Sequence, residues 1–167
     1  MPPSLNEEVV AHQFGDFIEL FKFFRNIESI EFVWAIVQKT KKLKWNKDEL
    51  IYKQGDIAES LYLILKGTIK MKSSSGQTFM KYSEGDTIGE SDALLNEARD
   101  CKAVPSEQCI LYIIQTDQCQ EIFAAYPEEF NKLKQNALIK RQLHAKKLSK
   151  LKNKVPILLS LVDNVTS

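Results

Sequence analysis

Histidine is almost absent from this chain. There are two in 167 residues, His12 and His144, and neither falls in the part that reads as strands. Roll-shaped metalloenzymes need histidines and carboxylates clustered inside the roll, so no metal ligand set is expected. Cysteine is scarce too. Cys101, Cys109 and Cys119 are odd in number and lack CxxC spacing, which argues against a disulfide framework and for reduced thiols acting as small buried hydrophobes. Excess charge of one sign is missing: 23 basic against 22 acidic residues leaves a net charge of +1 and no overall pull toward nucleic acid or membrane. No apolar run approaches the roughly 20 residues that a bilayer span needs. Residues 1–8 have neither the basic flank nor the apolar stretch of a secretory signal. The lysine-bearing phosphate loop of nucleoside triphosphatases is absent, and no nucleophile, base and orienting group stand together, so an enzyme is not expected.

What is present fits one domain with helical extensions, at 44% hydrophobic and 27% charged residues. Ser4 with Glu7 makes a capping box for a helix to about residue 14, resuming over 17–21. A second helix is predicted over 29–41, with Ile30, Val33, Trp34 and Val37 on one face. From residue 43 to 116 the pattern changes to short alternating runs cut by turns. Strands are predicted at 49–52, 60–65, 68–72, 78–82 and 109–114. Asp117 is placed to cap a helix to 125, Tyr126-Pro127 to break it, and a long helix to run from 128 to about 152 before Pro156. The expected fold class is mainly β with flanking α-helices, a β-roll or jelly roll. Its parts are an N-terminal helical segment (1–42), the roll (43–116), a hinge with lid helices (117–154) and a tail (155–167).

The most telling stretch is 85–101. It offers Gly85, Gly89, the acid Glu90, a short apolar turn at Leu94-Leu95 and Arg99, in that order. Glycine lets backbone approach an anion, and free N–H groups opening a helix attract it. Arginine neutralises a phosphate through a forked pair of hydrogen bonds, and a carboxylate accepts from ribose hydroxyls. These parts suit a sugar bearing one phosphate. Alone, Gly89-Glu90 is a turn with a solvated acid; Arg99, after a short Leu-Leu turn and flanked by apolar Ala98 and Cys101, reads as an arginine held inward.

This stretch resembles the phosphate-binding cassette of the cyclic-nucleotide-binding domain family, whose glutamate and arginine stand nine apart, as Glu90 and Arg99 do. Gly55-Asp56 followed by residues 61–67 resembles the first half of that family's roll. Residues 2–14 resemble the linker that joins pore helices to the binding domain in cyclic-nucleotide-regulated (CNG/HCN-like) cation channels. The resemblance implies a regulatory ligand, cyclic AMP or cyclic GMP, and no cofactor. It implies that Glu90 binds the ribose 2′-hydroxyl, and that Arg99 binds the phosphate with the N–H groups of Ser91 and Asp92. Met71 and Met80 would lie against the purine, and Lys140 would make a lid contact to the base. It further implies a cytoplasmic domain of a membrane protein, partnered by its own pore-forming part and by sister subunits in a tetramer. Met71 and Met80 equally suit plain core filling.

Two departures add acid beside the anion site: Asp100 follows the arginine, and Ser91-Asp92 follows the glutamate. Asp100 would repel a phosphate by about 1 kcal/mol or more unless it turns to solvent or pairs with Lys102. These departures favour a rival in which the roll persists but the ligand is lost. A kinase-regulatory module is a further rival, though neither a second roll nor an inhibitory basic segment is seen. A DNA-binding regulator would need a helix-turn-helix, for which the residues after Lys152 are too few. The C-terminal helix is rich in Lys and Arg, from Lys132 to Lys154, and reads as a solvated face or a contact for anionic lipid or an acidic partner. The run Lys39-Lys41-Lys42-Lys44 reads as solvated, and Trp34 and Trp45 read as core or capping aromatics.

Overall fold

Ser29 opens the first long regular element: its hydroxyl accepts the Phe32 N–H at 3.2 Å and caps α1 (Ile30–Val37). The structure, a computed structural model, describes residue 15 and residues 18–166, with side-chain surroundings to residue 151. The capping box at Ser4 and the channel-like linker at 2–14 lie outside the described residues. After α1 come β1 (Lys41–Trp45), β2 (Ser60–Lys66), β3 (Ile69–Lys72), β4 (Thr78–Tyr82) and β5 (Thr87–Ile88). A short helix, α2 (Glu90–Leu94), separates these from β6 (Lys102–Pro105) and β7 (Cys109–Gln115). A 3-10 turn at Thr116–Cys119 leads into α3 (Gln120–Ala125) and the long α4 (Pro127–Thr166).

The strands form two antiparallel sheets, ordered β1-β7-β2-β5 and β4-β3-β6. This is the mainly β roll with flanking helices that the sequence implies. The central strands are buried on both faces, and side-chain alternation splits them between two cores. Tyr62 and Ile64 of β2, with Cys109 and Leu111 of β7, fill the roll interior beside Ile69, Met71 and Ile88. Leu61 and Leu63, with Tyr112 and Ile114, face outward onto a second core of Phe21, Phe32, Ile36, Leu94, Phe123 and Leu133. That outer core joins the helices before the roll to those after it. No helix among the described residues is long and apolar enough to cross a membrane.

Several expectations need correction. The helix at 29–41 ends at Val37, because the next residues enter β1, an edge strand paired only with β7. The lysines read as a solvated run are indeed exposed, Lys39 just before that strand and Lys41, Lys42 and Lys44 on it, where charge discourages pairing with another chain. The buried face of α1 is Phe32, Val33, Ile36 and Val37; Ile30 is 64% exposed. Residues 49–52 make no strand, only an isolated bridge from Tyr52 to Ala103, whereas Lys102–Pro105 is a strand the pattern did not suggest. Asp117 lies within the 3-10 turn, and Gln115 precedes it without a side-chain cap. The break at Tyr126 is present, with α4 starting at Pro127 and staying helical through Pro156 to Thr166. A proline there removes one backbone hydrogen bond but keeps a helical φ.

Gly85 ties the segment before α1 to the roll. Its N–H donates to Ile64 O at 2.9 Å, and its carbonyl accepts from the Lys22 N–H at 3.0 Å. It sits at φ +88°, and a Cβ there would lie 2.7 Å from the Leu20 carbonyl oxygen. Gly76, at the hairpin tip, has a similar φ of +85° but open space around it. Gly76→Ala should therefore show only the backbone strain of about 1–3 kcal/mol, while Gly85→Ala should show that strain and the clash together. Urea unfolding of the two variants checks this; equal losses would refute the close contact.

Candidate functional site

Glu90, Ser91 and Asp92 open α2, and all three are buried. The chain then turns through Asn96, at φ +56°, and brings Arg99 back beneath the helix start. The backbone of Arg99 is clamped to the 55–56 turn: its N–H donates to Asp56 O and its carbonyl accepts from the Gly55 N–H, each at 2.9 Å. Its side chain is 3% exposed. Nη1 donates to Gly89 O at 2.7 Å and Nη2 donates to Ser60 O on β2. The guanidinium lies 4.1 Å over the Tyr52 ring, with an Asp92 carboxylate oxygen 3.6 Å from Nη1. Nε is buried without a hydrogen-bond partner among the described residues. A Cβ on Gly89 would meet Nη1 at 2.5 Å, so this approach depends on glycine.

From the other side, α4 presents Lys140, Arg141 and His144 to the cassette; residues four apart share a helix face. Lys140 pairs with Glu90 at 2.6 Å, donates to Thr87 O and lies 4.2 Å over the Tyr82 ring. Arg141 bridges Asp92 at 2.5 Å and Glu97 at 2.9 Å. His144, 2% exposed, places Nδ1 3.0 Å from Asp100 and Nε2 2.7 Å from the Tyr82 hydroxyl, with the Phe79 ring edge-on at 5.3 Å. If Nδ1 donates to the carboxylate, Nε2 of the neutral ring accepts from Tyr82. Cavities flank this seam. One, of about 330 Å³, is lined by Lys22, Arg25, Tyr82, Thr87, Glu90 and Lys140; the other, of about 600 Å³, by Gly55, Arg99, Asp100, Arg141 and Ala145 among others.

Burial is the largest single influence on Asp92 and on Asp100, but it decides the direction only for Asp92. It pushes Asp92 up to about 6, with Asp100 adding to the rise and the Arg99 and Arg141 guanidiniums opposing it. Burial also pushes Asp100 upward, but the hydrogen bond and charge of His144, together with a hydrogen bond from Cys101 and the Arg141 charge, outweigh it and hold that carboxyl below its ordinary value. Burial raises the Cys101 thiol and the Tyr82 hydroxyl, so both stay protonated near neutral pH.

The cassette residues singled out in the sequence do assemble. Glu90, Ser91, Asp92 and Arg99 lie together under Gly89, and Lys140 reaches them from the lid helix. Met71 is fully buried in the roll core, while Met80, its cross-strand neighbour, is half-buried. Asp100 neither faces solvent nor pairs with Lys102; it binds His144, because the lid helix covers it. Lys140 and Arg141 are not a solvated face, since cassette acids receive them. His144 and Arg141 were missed as site residues. Their only signal was a helical register that puts them one residue and one turn after Lys140.

The profile of the cyclic nucleotide-binding domain family matches residues 42–126. The chain is 27% identical over 123 residues to potassium/sodium hyperpolarization-activated cyclic nucleotide-gated channel 2 of Mus musculus, covering 74% of this chain and 14% of that channel. The human channel gives the same figures. Among solved structures, a cAMP-bound PfPKA-R fragment superposes with a TM-score of 0.71 at 16% identity, over 87% of this chain and 50% of that one. A cyclic nucleotide-binding domain from Methylobacillus flagellatus gives 0.66 at 21% identity, over 84% and 85%. At these identities the two structures speak to the fold.

Asp92 offers a direct check on the buried charges. The folded chain holds its proton up to a pH of about 6, above the ordinary aspartate value of about 4. Its contribution to stability therefore improves as pH falls from about 6 toward about 4. Asp92→Asn, which mimics the protonated form, should differ most from the parent in melting temperature near pH 7.5 and converge on it near pH 5. A difference independent of pH would show that Asp92 titrates like a solvated acid.

Proposed function

The chain belongs to the cyclic nucleotide-binding domain family, and on that premise we propose that it is a regulatory module in which cyclic AMP or cyclic GMP is received between the cassette and the lid helix. The observation that carries this reading is the charge-paired seam between α4 and the cassette, Lys140 on Glu90 and Arg141 on Asp92. A ligand entering there exchanges these contacts for its own. Glu90 then accepts from the ribose 2′-hydroxyl. Arg99, with the N–H groups of Ser91 and Asp92, takes the cyclic phosphate. Met80 borders the purine, with Met71 behind it, and Lys140 closes the lid. The lid shifts by as much as the nucleotide prefers one lid position over another. No cofactor is required.

The wider setting belongs to the same proposal. Similarity to a hyperpolarization-activated channel, and the linker-like residues 2–14, support a cytoplasmic domain that passes lid motion to a pore in a tetramer. The chain spans 14% of the curated channel it matches, and the pore and subunit partners rest on that similarity alone. A kinase-regulatory setting fits the fold as well, given the PfPKA-R likeness.

One observation favours a second reading, a domain that no longer takes nucleotide. The Asp92 carboxylate sits between Arg99 and Arg141, where it supplies from within the chain the anion that a phosphate would supply. Titration calorimetry with cyclic AMP and cyclic GMP separates the two. Under the first, the parent protein binds one of them, and Glu90→Gln weakens binding about tenfold or more by removing a charge-assisted bond. Under the second, the parent gives no heat at millimolar nucleotide and Asp92→Ala gains it. Silence from both proteins would defeat the nucleotide reading. Arg99→Ala should abolish binding, but it must be read beside a melting curve, because Arg99 also holds Gly89 and Ser60.

A further inference from the structure

Asp100, Cys101 and His144 form a cluster that the nucleotide reading does not use. An Asp100 carboxylate oxygen, the Cys101 sulfur and a His144 ring nitrogen all lie within 4.8 Å of one another. Cys101 is fully buried and His144 is 2% exposed. Oδ1 of Asp100 is buried and meets no nitrogen or oxygen donor among the described residues, and the neighbouring Cys101 thiol, a weak donor, hydrogen-bonds this carboxylate. A buried carboxylate answered so weakly on one side favours a cation in place of the thiol proton. We infer that Asp100, Cys101 and His144 bind one zinc-class divalent cation, which joins the lid helix to the roll.

The donor set selects the ion. One thiolate, one imidazole and one carboxylate suit zinc or cobalt, whereas magnesium and calcium require mostly oxygen ligands. Tetrahedral bonds of about 2.0–2.3 Å put ligand atoms roughly 3.2–3.8 Å apart. The Nδ1 to Oδ2 separation of 3.0 Å is already near that range, and the sulfur, within 4.8 Å of the other two donors, closes by up to about 1 Å on binding. The imidazole is oriented from behind by the Tyr82 hydroxyl at 2.7 Å on Nε2, the outer hydrogen bond that a metal-bound histidine requires. The cavity of about 600 Å³ lined by Asp100 offers a path for an ion to that carboxylate.

The protons balance. The Cys101 thiol loses its proton to solvent and becomes the thiolate ligand. The His144 proton leaves Nδ1 for Nε2, which then donates to Tyr82. Asp100 binds as the carboxylate. A dication with one thiolate and one carboxylate is neutral, as a buried site favours. Two ligands come from the end of the cassette and one from α4, so the ion acts as a cross-link between the two.

Cobalt(II) titration of the reduced, metal-free protein, without nucleotide, tests the inference apart from the nucleotide reading. The expected result is saturation at one ion per chain, with a thiolate-to-cobalt charge-transfer band and the intense visible bands of tetrahedral cobalt. Zinc should bleach both and raise the melting temperature. Calorimetry in buffers of different ionisation enthalpy should report one proton released per ion. Cys101→Ser should lose the charge-transfer band, while Cys109→Ser and Cys119→Ser keep it. His144→Cys, which keeps a donor at the lid, should retain tetrahedral cobalt with a stronger sulfur band. Only the weak spectrum of octahedral aqueous cobalt, or a sulfur band surviving in Cys101→Ser, would overturn it.

Discussion

A guanidinium withdrawn from water must have its charge and its donors answered inside the protein, and the way Arg99 is answered organises the whole cassette. Two donors go to the carbonyls of Gly89 and Ser60, one face goes to Tyr52, and the charge goes to Asp92. Those partners come from the start of α2, from β2 and from the loop before it, so one side chain fixes where the cassette sits on the roll. Asp92 in turn cannot be left with a distant partner. It is 1% exposed, and a buried charge with a missing neighbour is strongly destabilising. Arg141 completes it from α4, at 2.5 Å. The lid helix is therefore held to the roll partly because the cassette has buried an acid that needs a second cation.

Legibility in the sequence followed burial contrast. The strands at 60–66 and 109–115 read clearly because side chains alternate between two distinct cores, and both cores are apolar. β1 did not read as a strand, since four of its five residues are exposed and the pattern carries no alternation. β6 is four residues long and draws its partners from β3, some thirty positions earlier, so nothing local announces it. The Glu90 and Arg99 pair was legible because spacing within one short segment reports it. The pairs that close the seam were not, because Asp92 meets Arg141 across 49 positions and Asp100 meets His144 across 44. A basic helix without acids of its own looks solvated until the fold shows which acids it covers.

The seam also limits what a ligand can do. Glu90, Asp92, Glu97 and Asp100 are four acids, facing Arg99, Lys140, Arg141 and His144. An added phosphate brings another negative charge to a place already close to balance. It can be accommodated by moving Arg141 off Asp92, by turning Asp92 away, or by protonating Asp92. The last route is short, because that carboxyl is already held near 6 and a neighbouring anion pushes it higher still. Anion entry and proton uptake are then linked: whatever reaches Arg99 as an anion is favoured by the same fall in pH that neutralises Asp92. The acid beside Arg99 thus couples any anion that would reach that guanidinium to the protonation of the chain itself, while the roll keeps its two apolar cores whichever way that equilibrium lies.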